Sequence, residues 1–172
     1  MIIWRTIGLI VLMLAALATA KARAADCPGN PNALGTSRVL SIDPREFLRI
    51  GSVQYKTSLP LEDREVVLTF DDGPLPPYTN RVLDVLAEHC VKANYFLVGR
   101  MARGYPDVAR RIRAEGHTIG THSESHMLGF DRAPIETVKG EIEQGIASVT
   151  SVVGKGTAAT SFFRIPGFLR RQ

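Results

Sequence analysis

The stretch VVLTFDDGP, residues 66–74, joins an apolar run to a turn that opens with two carboxylates. The run VVLTF, residues 66–70, is typical of a strand that is buried on both faces, as in a parallel sheet. The Gly-Pro pair that follows favours a turn directly after Asp71 and Asp72. By itself, DDGP is more often an ordinary turn than a functional site.

Outward from this stretch, the sequence predicts strands and helices in alternation. The other strands are predicted at residues 93–99, 117–122 and 160–165. The helices are predicted from a cap at Thr79 to about Cys90, and over residues 106–115 and 134–153. The apolar stripe of the last helix comprises Ile135, Val138, Ile142, Ile146 and Val149. This alternation indicates βαβ units and a parallel sheet, open or closed into a barrel, so the fold class is α/β.

Ionisable side chains follow three of the predicted strands. Asp71 and Asp72 come directly after the first, His122 ends the third, and Arg164 lies near the end of the fourth. Active sites of α/β barrels collect at the carboxyl ends of the strands. We therefore expect these side chains to face one side of the sheet.

His122 and His126, in the sequence HSESH, are four residues apart. One helical turn would place both imidazoles on the same side, the spacing of zinc ligands in HExxH, although Ser123 stands where that motif has Glu. The pair alone is a weak signal, but a carboxylate from Asp71 or Asp72 would complete a three-ligand site with a position left for water. Neighbouring aspartates on extended backbone point to opposite sides, so one can bind the metal while the other takes a proton from water.

Three sequence motifs taken together are more specific than each motif alone. TFDDGP at residues 69–74, HSESH at residues 122–126 and FFRIPGF at residues 162–168, in this order, resemble the polysaccharide deacetylases. These are the carbohydrate esterases of family four, which include nodulation-type chitooligosaccharide deacetylases and peptidoglycan deacetylases. The resemblance runs from about Glu65 to the last residue and covers three of the family's five motifs.

The resemblance implies a distorted (β/α) barrel, of which this chain would form the N-terminal portion, and a metal-dependent removal of acetyl groups from N-acetylated sugars. Asp71 would be the general base, and Arg164 would orient it. Asp72, His122 and His126 would hold a divalent metal, zinc by expectation, with cobalt or another ion as alternatives. Ser123 would steady the loop by hydrogen bonding.

The third motif departs from the family pattern. Gly167 stands where the family commonly has tyrosine, at the position whose backbone N–H holds the oxyanion. Glycine keeps that N–H but removes an aromatic wall of the substrate groove. The family's fourth motif and its fifth, Leu-x-His, which supplies the catalytic acid, are absent from these 172 residues. We therefore expect this stretch to be an incomplete, truncated form that deacetylates slowly by itself.

Two other functions stay open at this point. One is a non-catalytic protein of the same fold that binds cell-wall carbohydrate. The other is a related metal-dependent hydrolase that acts on non-sugar amides.

The first 24 residues predict export. A basic start is followed by 15 uncharged residues at positions 6–20 and by small-residue cleavage sites, the layout of a signal peptide. An uncleaved anchor is the alternative, but a span needs roughly 20 apolar residues, so no stable membrane span is expected after cleavage. The expected location is the periplasm or the extracellular space. Without this segment, 18 basic residues face 17 acidic ones, a net charge of +1, which gives no support to a nucleic-acid partner.

Export also permits disulfides. A Cys27–Cys90 bridge would tie the N-terminal part to the domain, whereas Cys90 could instead be a small buried apolar residue. The predicted division is a signal peptide at 1–24, an N-terminal arm at 25–61 and the deacetylase-like domain at 62–172.

Overall fold

The computed structural model describes residues 27–51, 55, 58–154 and 161–167. The predicted signal peptide lies outside the described residues. Among the described ones, no helix combines the length and the apolar character needed to cross a membrane. The strands are β1 (Thr69–Asp71), β2 (Asn94–Leu97) and β3 (Thr118–Thr121). The helices are α1 (Tyr78–Glu88), α2 (Gly99–Gly104), α3 (Pro106–Ala114), α4 (Ile135–Val153) and a short 3-10 helix, Phe130–Arg132.

The three strands form a parallel sheet in the order β1-β2-β3, with Asp71 opposite Phe96 and Phe96 opposite Gly120. Phe163 adds a parallel bridge to Thr121 on the far side of β3. Spatial order therefore follows chain order, as in a (β/α) barrel. All strands end at the same side, which we call the carboxyl edge, and begin at the opposite amino edge.

The first strand is shorter and less buried than predicted. It begins at Thr69, and Val66 is 79% exposed. Leu68 already accepts a hydrogen bond from the N–H of Asn94 at 2.9 Å, so the chain runs beside β2 before the strand begins. Among the described residues β1 has β2 as its sole partner strand. The prediction of a strand at 66–70 buried on both faces is wrong, because β1 begins only at Thr69 and the apolar residues 66–68 before it are exposed.

The predicted strand at 160–165 is also reduced. Thr160 lies outside the described residues, and of the rest Phe163 alone forms a bridge. Two hydrogen bonds support it, from Thr121 N–H to Phe162 O and from Arg164 N–H to Thr121 O, both 2.9 Å. Pro166 follows at once and cannot donate to a ladder, so the pairing stops there.

The helices differ from the sequence prediction at two places. Thr79 is not the cap of α1, because Pro77 precedes the first turn and the Thr79 hydroxyl instead accepts the N–H of Leu75 at 2.9 Å. Helix α2 was not predicted. It is six residues long, too short to show an apolar period, and Gly104 ends it.

Helix α4 buries the predicted stripe only in part. Of the five stripe residues only Val149 is buried, and Ile135 is 65% exposed. The buried residues of α4 include Gly145 and Ser148, which lie against polar groups of the loop after β3. A hydrophobic stripe cannot reveal a face that packs on a polar loop.

The apolar core lies between the sheet and the helices. Its buried members are Leu83, Leu86, Ala93, Tyr95, Leu97, Ala102, Ala109, Ile112, Ile119, Val149 and Val153. Every one of the four α-helices and two of the strands contribute to it, so the carboxyl edge is carried by one packed unit.

The residues before the sheet are fixed at the amino edge. A disulfide joins Cys27 to Cys90, with 5.7 Å between their Cα atoms, which confirms the predicted bridge. Gly35 donates to the carbonyl of His89 at 2.9 Å. Arg38 and Glu65 form an ion pair at 2.6 Å, and the hydrogen bonds from Arg38 lower the pKa of Glu65 to about 2.

Candidate metal centre and catalytic site

Three side chains of the candidate site stand on left-handed backbone. Asp72 has φ 69°, Ser123 has φ 63° and His126 has φ 52°. Such values are uncommon for residues with a Cβ and cluster at functional sites. The left-handed turn at Asp72 ends the extended backbone of β1. The Asp72 carboxylate can therefore point in a different direction from that of Asp71.

Asp72, His122 and His126 come together at the carboxyl edge. Oδ1 of Asp72 is 3.3 Å from Nε2 of each histidine, and the three ligand atoms lie within 4.8 Å of one another. The side chain of His122 is 3% exposed, that of His126 30% and that of Asp72 70%. One side of the cluster is therefore open to solvent while the other is fixed in the protein.

The orientation of His122 suits a metal ligand. Its Nδ1 is 2.8 Å from the carbonyl oxygen of Arg164, and because a carbonyl can only accept, Nδ1 carries the proton. In the neutral ring, Nε2 then presents a lone pair towards Oδ1 of Asp72. Acceptor atoms that converge in this way can share a cation, so the donor set fits a divalent metal.

The two histidines are not on a helix, contrary to the prediction from their spacing. They lie in the loop that follows β3, which we call the ligand loop, residues 122–126. The positive φ angles at Ser123 and His126 fold the loop back, and the ring centroids come to 4.9 Å. The hydroxyl of Ser123 accepts the N–H of His126 at 3.0 Å, which is the steadying bond expected for it.

Asp71 and Arg164 form a second group beside the cluster. Nη1 of Arg164 is 2.8 Å from Oδ1 of Asp71 and donates to the hydroxyl of Thr69 at 2.9 Å. Its guanidinium carbon lies 4.0 Å from the ring centroid of Phe96. The cation is thus held by an aromatic face and two oxygens, and it fixes the Asp71 carboxylate.

Gly167 follows at the exposed end of this segment with φ 79°, and a Cβ built there would meet no atom within 4 Å. Glycine is favoured here by the backbone conformation and not by crowding.

Sequence reasoning missed the residues that hold the ligand loop from outside. Glu124 is buried in the loop, its carboxylate 2.7 Å from Arg103 of α2, and it accepts the hydroxyl of Ser148 of α4 at 2.7 Å. Arg103 also donates to Ser148. In the sequence, Glu124 is a single glutamate between two candidate ligands, and such a residue is ordinarily interpreted as solvent-exposed.

The other two histidines, His89 and His117, lie at the amino edge, away from the site. Nδ1 of His117 accepts the N–H of Ala93 at 3.2 Å, and the His117 ring packs edge-on against Tyr95. Burial, with a smaller contribution from nearby Lys92, lowers the pKa of His117. His89 follows α1, directly before the half-cystine Cys90.

A parallel sheet in chain order, with an Asp-His-His cluster that could hold a metal ion and an Asp-Arg pair at its carboxyl edge, is typical of (β/α)-barrel proteins with a site at the carboxyl ends of their strands. Residues 58–169 match the family model for polysaccharide deacetylase. The chain therefore belongs to the polysaccharide deacetylase family, and its sheet is part of the distorted (β/α) barrel of that family.

Individual relatives agree with this family. The chain is 43% identical over 89 residues to a chitooligosaccharide deacetylase of Rhizobium leguminosarum bv. trifolii, which covers 51% of this chain and 41% of the relative. It is 49% identical over 80 residues to a peptidoglycan-N-acetylglucosamine deacetylase of Bacillus cereus, covering 46% and 29%. A solved family 4 acetyl xylan esterase from Clostridium thermocellum, in complex with a cobalt ion, superposes with TM-score 0.52 at 35% identity.

The match to the esterase covers 58% of this chain and 47% of that structure. The chain thus spans less than half the length of each of these three relatives.

Proposed function

We propose that the protein is a metal-dependent hydrolase that removes N-acetyl groups from a polysaccharide or a chitooligosaccharide. The observation that carries this proposal is the convergence of Asp72, His122 and His126 beside the Asp71–Arg164 pair, in a member of the deacetylase family. The bond that breaks is the amide C–N bond of the acetamido group.

Asp72, His122 and His126 are the proposed metal ligands, and zinc is the proposed ion, with cobalt as a working substitute. Two neutral imidazoles and one carboxylate are a common ligand set of catalytic zinc. A metal held there would lower the pKa of a bound water and polarise the acetyl carbonyl. The cobalt ion in the esterase structure supports a divalent metal by analogy.

Asp71 is the proposed general base. Its carboxylate takes the proton of the attacking water, and Arg164 keeps that carboxylate in place through the bond at 2.8 Å. The partly buried hydrogen bond from His122 to the Arg164 carbonyl links the same residue to the proposed metal site. Arg164 thereby contacts both the proposed base and one of the proposed ligands.

Gly167 is the proposed source of an oxyanion N–H. Attack on the acetyl carbonyl creates negative charge on its oxygen, and a backbone N–H aimed at that oxygen would stabilise it. The positive φ of Gly167 turns the backbone at the end of the Arg164 segment, which supports this role.

The protein is proposed to act outside the cytoplasm, in the periplasm or the extracellular space. The signal-peptide pattern at residues 1–24 and the Cys27–Cys90 disulfide support this location. The names of two relatives, a chitooligosaccharide deacetylase and a peptidoglycan-N-acetylglucosamine deacetylase, support a substrate of this class.

Acetate release tests the proposal. Because the chain spans less than half of these relatives, the enzyme assayed is a fusion that adds the segment carrying the family's fourth and fifth motifs. Zinc-loaded fusion should release acetate from N-acetylglucosamine oligomers, and Asp71→Asn should lose about 10²–10⁴-fold in kcat while it keeps its zinc. Binding of the oligomers with no acetate released would favour a carbohydrate-binding protein, and acetate from simple acetamides alone would favour a non-sugar amidase.

A further inference from the structure

The ligand loop packs between α2 and α4. Gly99 and Arg100 at the start of α2 donate their N–H groups to the carbonyls of Ser123 and Glu124, both at 2.9 Å. On the other side, a Cβ added to Gly145 of α4 would lie 2.7 Å from the carbonyl carbon of Ser123. The helix backbone therefore reaches the loop backbone directly.

Glu141 of α4 binds the same loop at Ser125, the residue before His126. Its Oε2 accepts the N–H of Ser125 at 2.8 Å and its Oε1 accepts the hydroxyl of Ser125 at 2.8 Å. Both oxygens of one carboxylate thus bind a single residue. Burial opposes the charge of Glu141, but the hydrogen bonds from Ser125, with smaller contributions from nearby Ser123 and Glu124, outweigh it and keep the pKa of Glu141 below its usual value.

The two histidines differ in how they are held. The His122 ring is fixed by the Arg164 carbonyl through Nδ1. Among the hydrogen bonds of the described residues, no such partner holds the His126 ring, whose Nε2 faces Asp72. The placement of the His126 imidazole therefore depends on its backbone, and that backbone is fixed by Ser123 and by Ser125.

We propose that Glu141 is a positioning residue that holds Ser125, and through it His126, in the geometry needed to bind a metal. The inference rests on the proposed function, because it takes Asp72, His122 and His126 as the ligands. Residues that orient ligands without touching the metal commonly change metal affinity by about 10–100-fold.

The test measures zinc affinity and the melting temperature of the metal-free protein for three variants. Glu141→Ala removes both bonds and should raise the zinc Kd by about 10-fold or more. Glu141→Gln should stay close to the wild type, since its amide oxygen can accept the Ser125 N–H and its amide nitrogen can donate to the hydroxyl. Glu143→Ala, on the exposed face of the same helix, is the matched control and should leave the Kd unchanged.

The outcomes separate this inference from the proposed function. If the wild type binds no zinc, the proposed metal centre itself is wrong. If the wild type binds zinc and Glu141→Ala binds it as tightly as Glu143→Ala, Glu141 does not position the ligand, and a lower melting temperature would show a structural role alone. Should Glu141→Ala fail to fold, Ser125→Ala decides, since it deletes one of the two bonds: a weaker zinc Kd supports the inference and an unchanged Kd overturns it.

Discussion

Asp71 and Asp72 are neighbours in the chain, yet their carboxylates bind different partners. Asp71 ends β1 and pairs with Arg164, whereas Asp72 turns into left-handed backbone and faces the two histidines. The sequence predicted that the two would diverge, because adjacent side chains on extended backbone do so. It did not predict the left-handed turn, which is strained for aspartate and is set by the surrounding structure.

A pH effect on stability is expected from His117. Burial lowers the pKa of His117 from 6.5, so below that pH the unfolded chain binds a proton that the folded chain does not. Stability should therefore fall as the pH drops below about 6.5. In His117→Gln, whose amide oxygen can still accept the Ala93 N–H, this part of the pH dependence should disappear.

Urea unfolding at about pH 7.5 and about pH 5.5 checks this effect. The wild type should lose more free energy of unfolding between the two pH values than His117→Gln does. The other three histidines are present in both proteins and cancel in the comparison. Equal losses in the two proteins would show that His117 is not the group responsible.

At the level of the elements, α4 supports the ligand loop through its small residues. Gly145 lies where a Cβ would press on Ser123, while a Cβ at Gly140 would meet the Gln144 side chain at 3.9 Å, an ordinary contact. Both glycines weaken the helix intrinsically. The close approach of the loop explains why residue 145 is a glycine.

Two substitutions on α4 should therefore have opposite effects. Gly145→Ala should lower the free energy of unfolding by about 1–3 kcal/mol, because the extra methyl forces the loop or the helix to move. Gly140→Ala should raise it by about 0.5–1 kcal/mol, because alanine has the higher helix propensity. Denaturant unfolding of the two single variants measures both, and stabilisation by Gly145→Ala would contradict the proposed packing.

The sequence predicted most of the elements and all five side chains of the two site groups, and its errors have physical causes. Strand and helix order came from apolar periodicity, but the apolar residues 66–68 are exposed and lie before β1. The helix α2 was too short to show a period. The spacing of His122 and His126 suggested a helical turn, whereas the loop brings them together through positive φ angles, which a sequence does not reveal. Glu141 was missed since a Glu on a helix usually faces solvent.

In the molecule as a whole, the site and the N-terminal residues occupy opposite edges of the sheet. The ligands follow β1 and β3, whereas Cys90 and its neighbours precede β2. The disulfide closes a separation of 63 residues, for which the chain-entropy estimate is about 4 kcal/mol.

Removal of the disulfide should affect stability without affecting the site. The double variant Cys27→Ser with Cys90→Ser should lose about 2–4 kcal/mol in the free energy of unfolding. Its zinc Kd should equal that of the wild type under conditions where both are folded. A large loss of zinc affinity in the folded variant would mean that the two edges are coupled.

Zinc stoichiometry tests the central claim, that the carboxyl edge holds a metal through Asp72, His122 and His126. The purified protein is equilibrated with zinc, dialysed and analysed for bound metal, together with Asp72→Asn, His126→Ala and, as a matched histidine control at the amino edge, His89→Ala. The account predicts one tightly bound zinc per chain in the wild type and in His89→Ala, and its loss in the two ligand variants. Zinc retained at the wild-type level and affinity by His126→Ala and Asp72→Asn would contradict it.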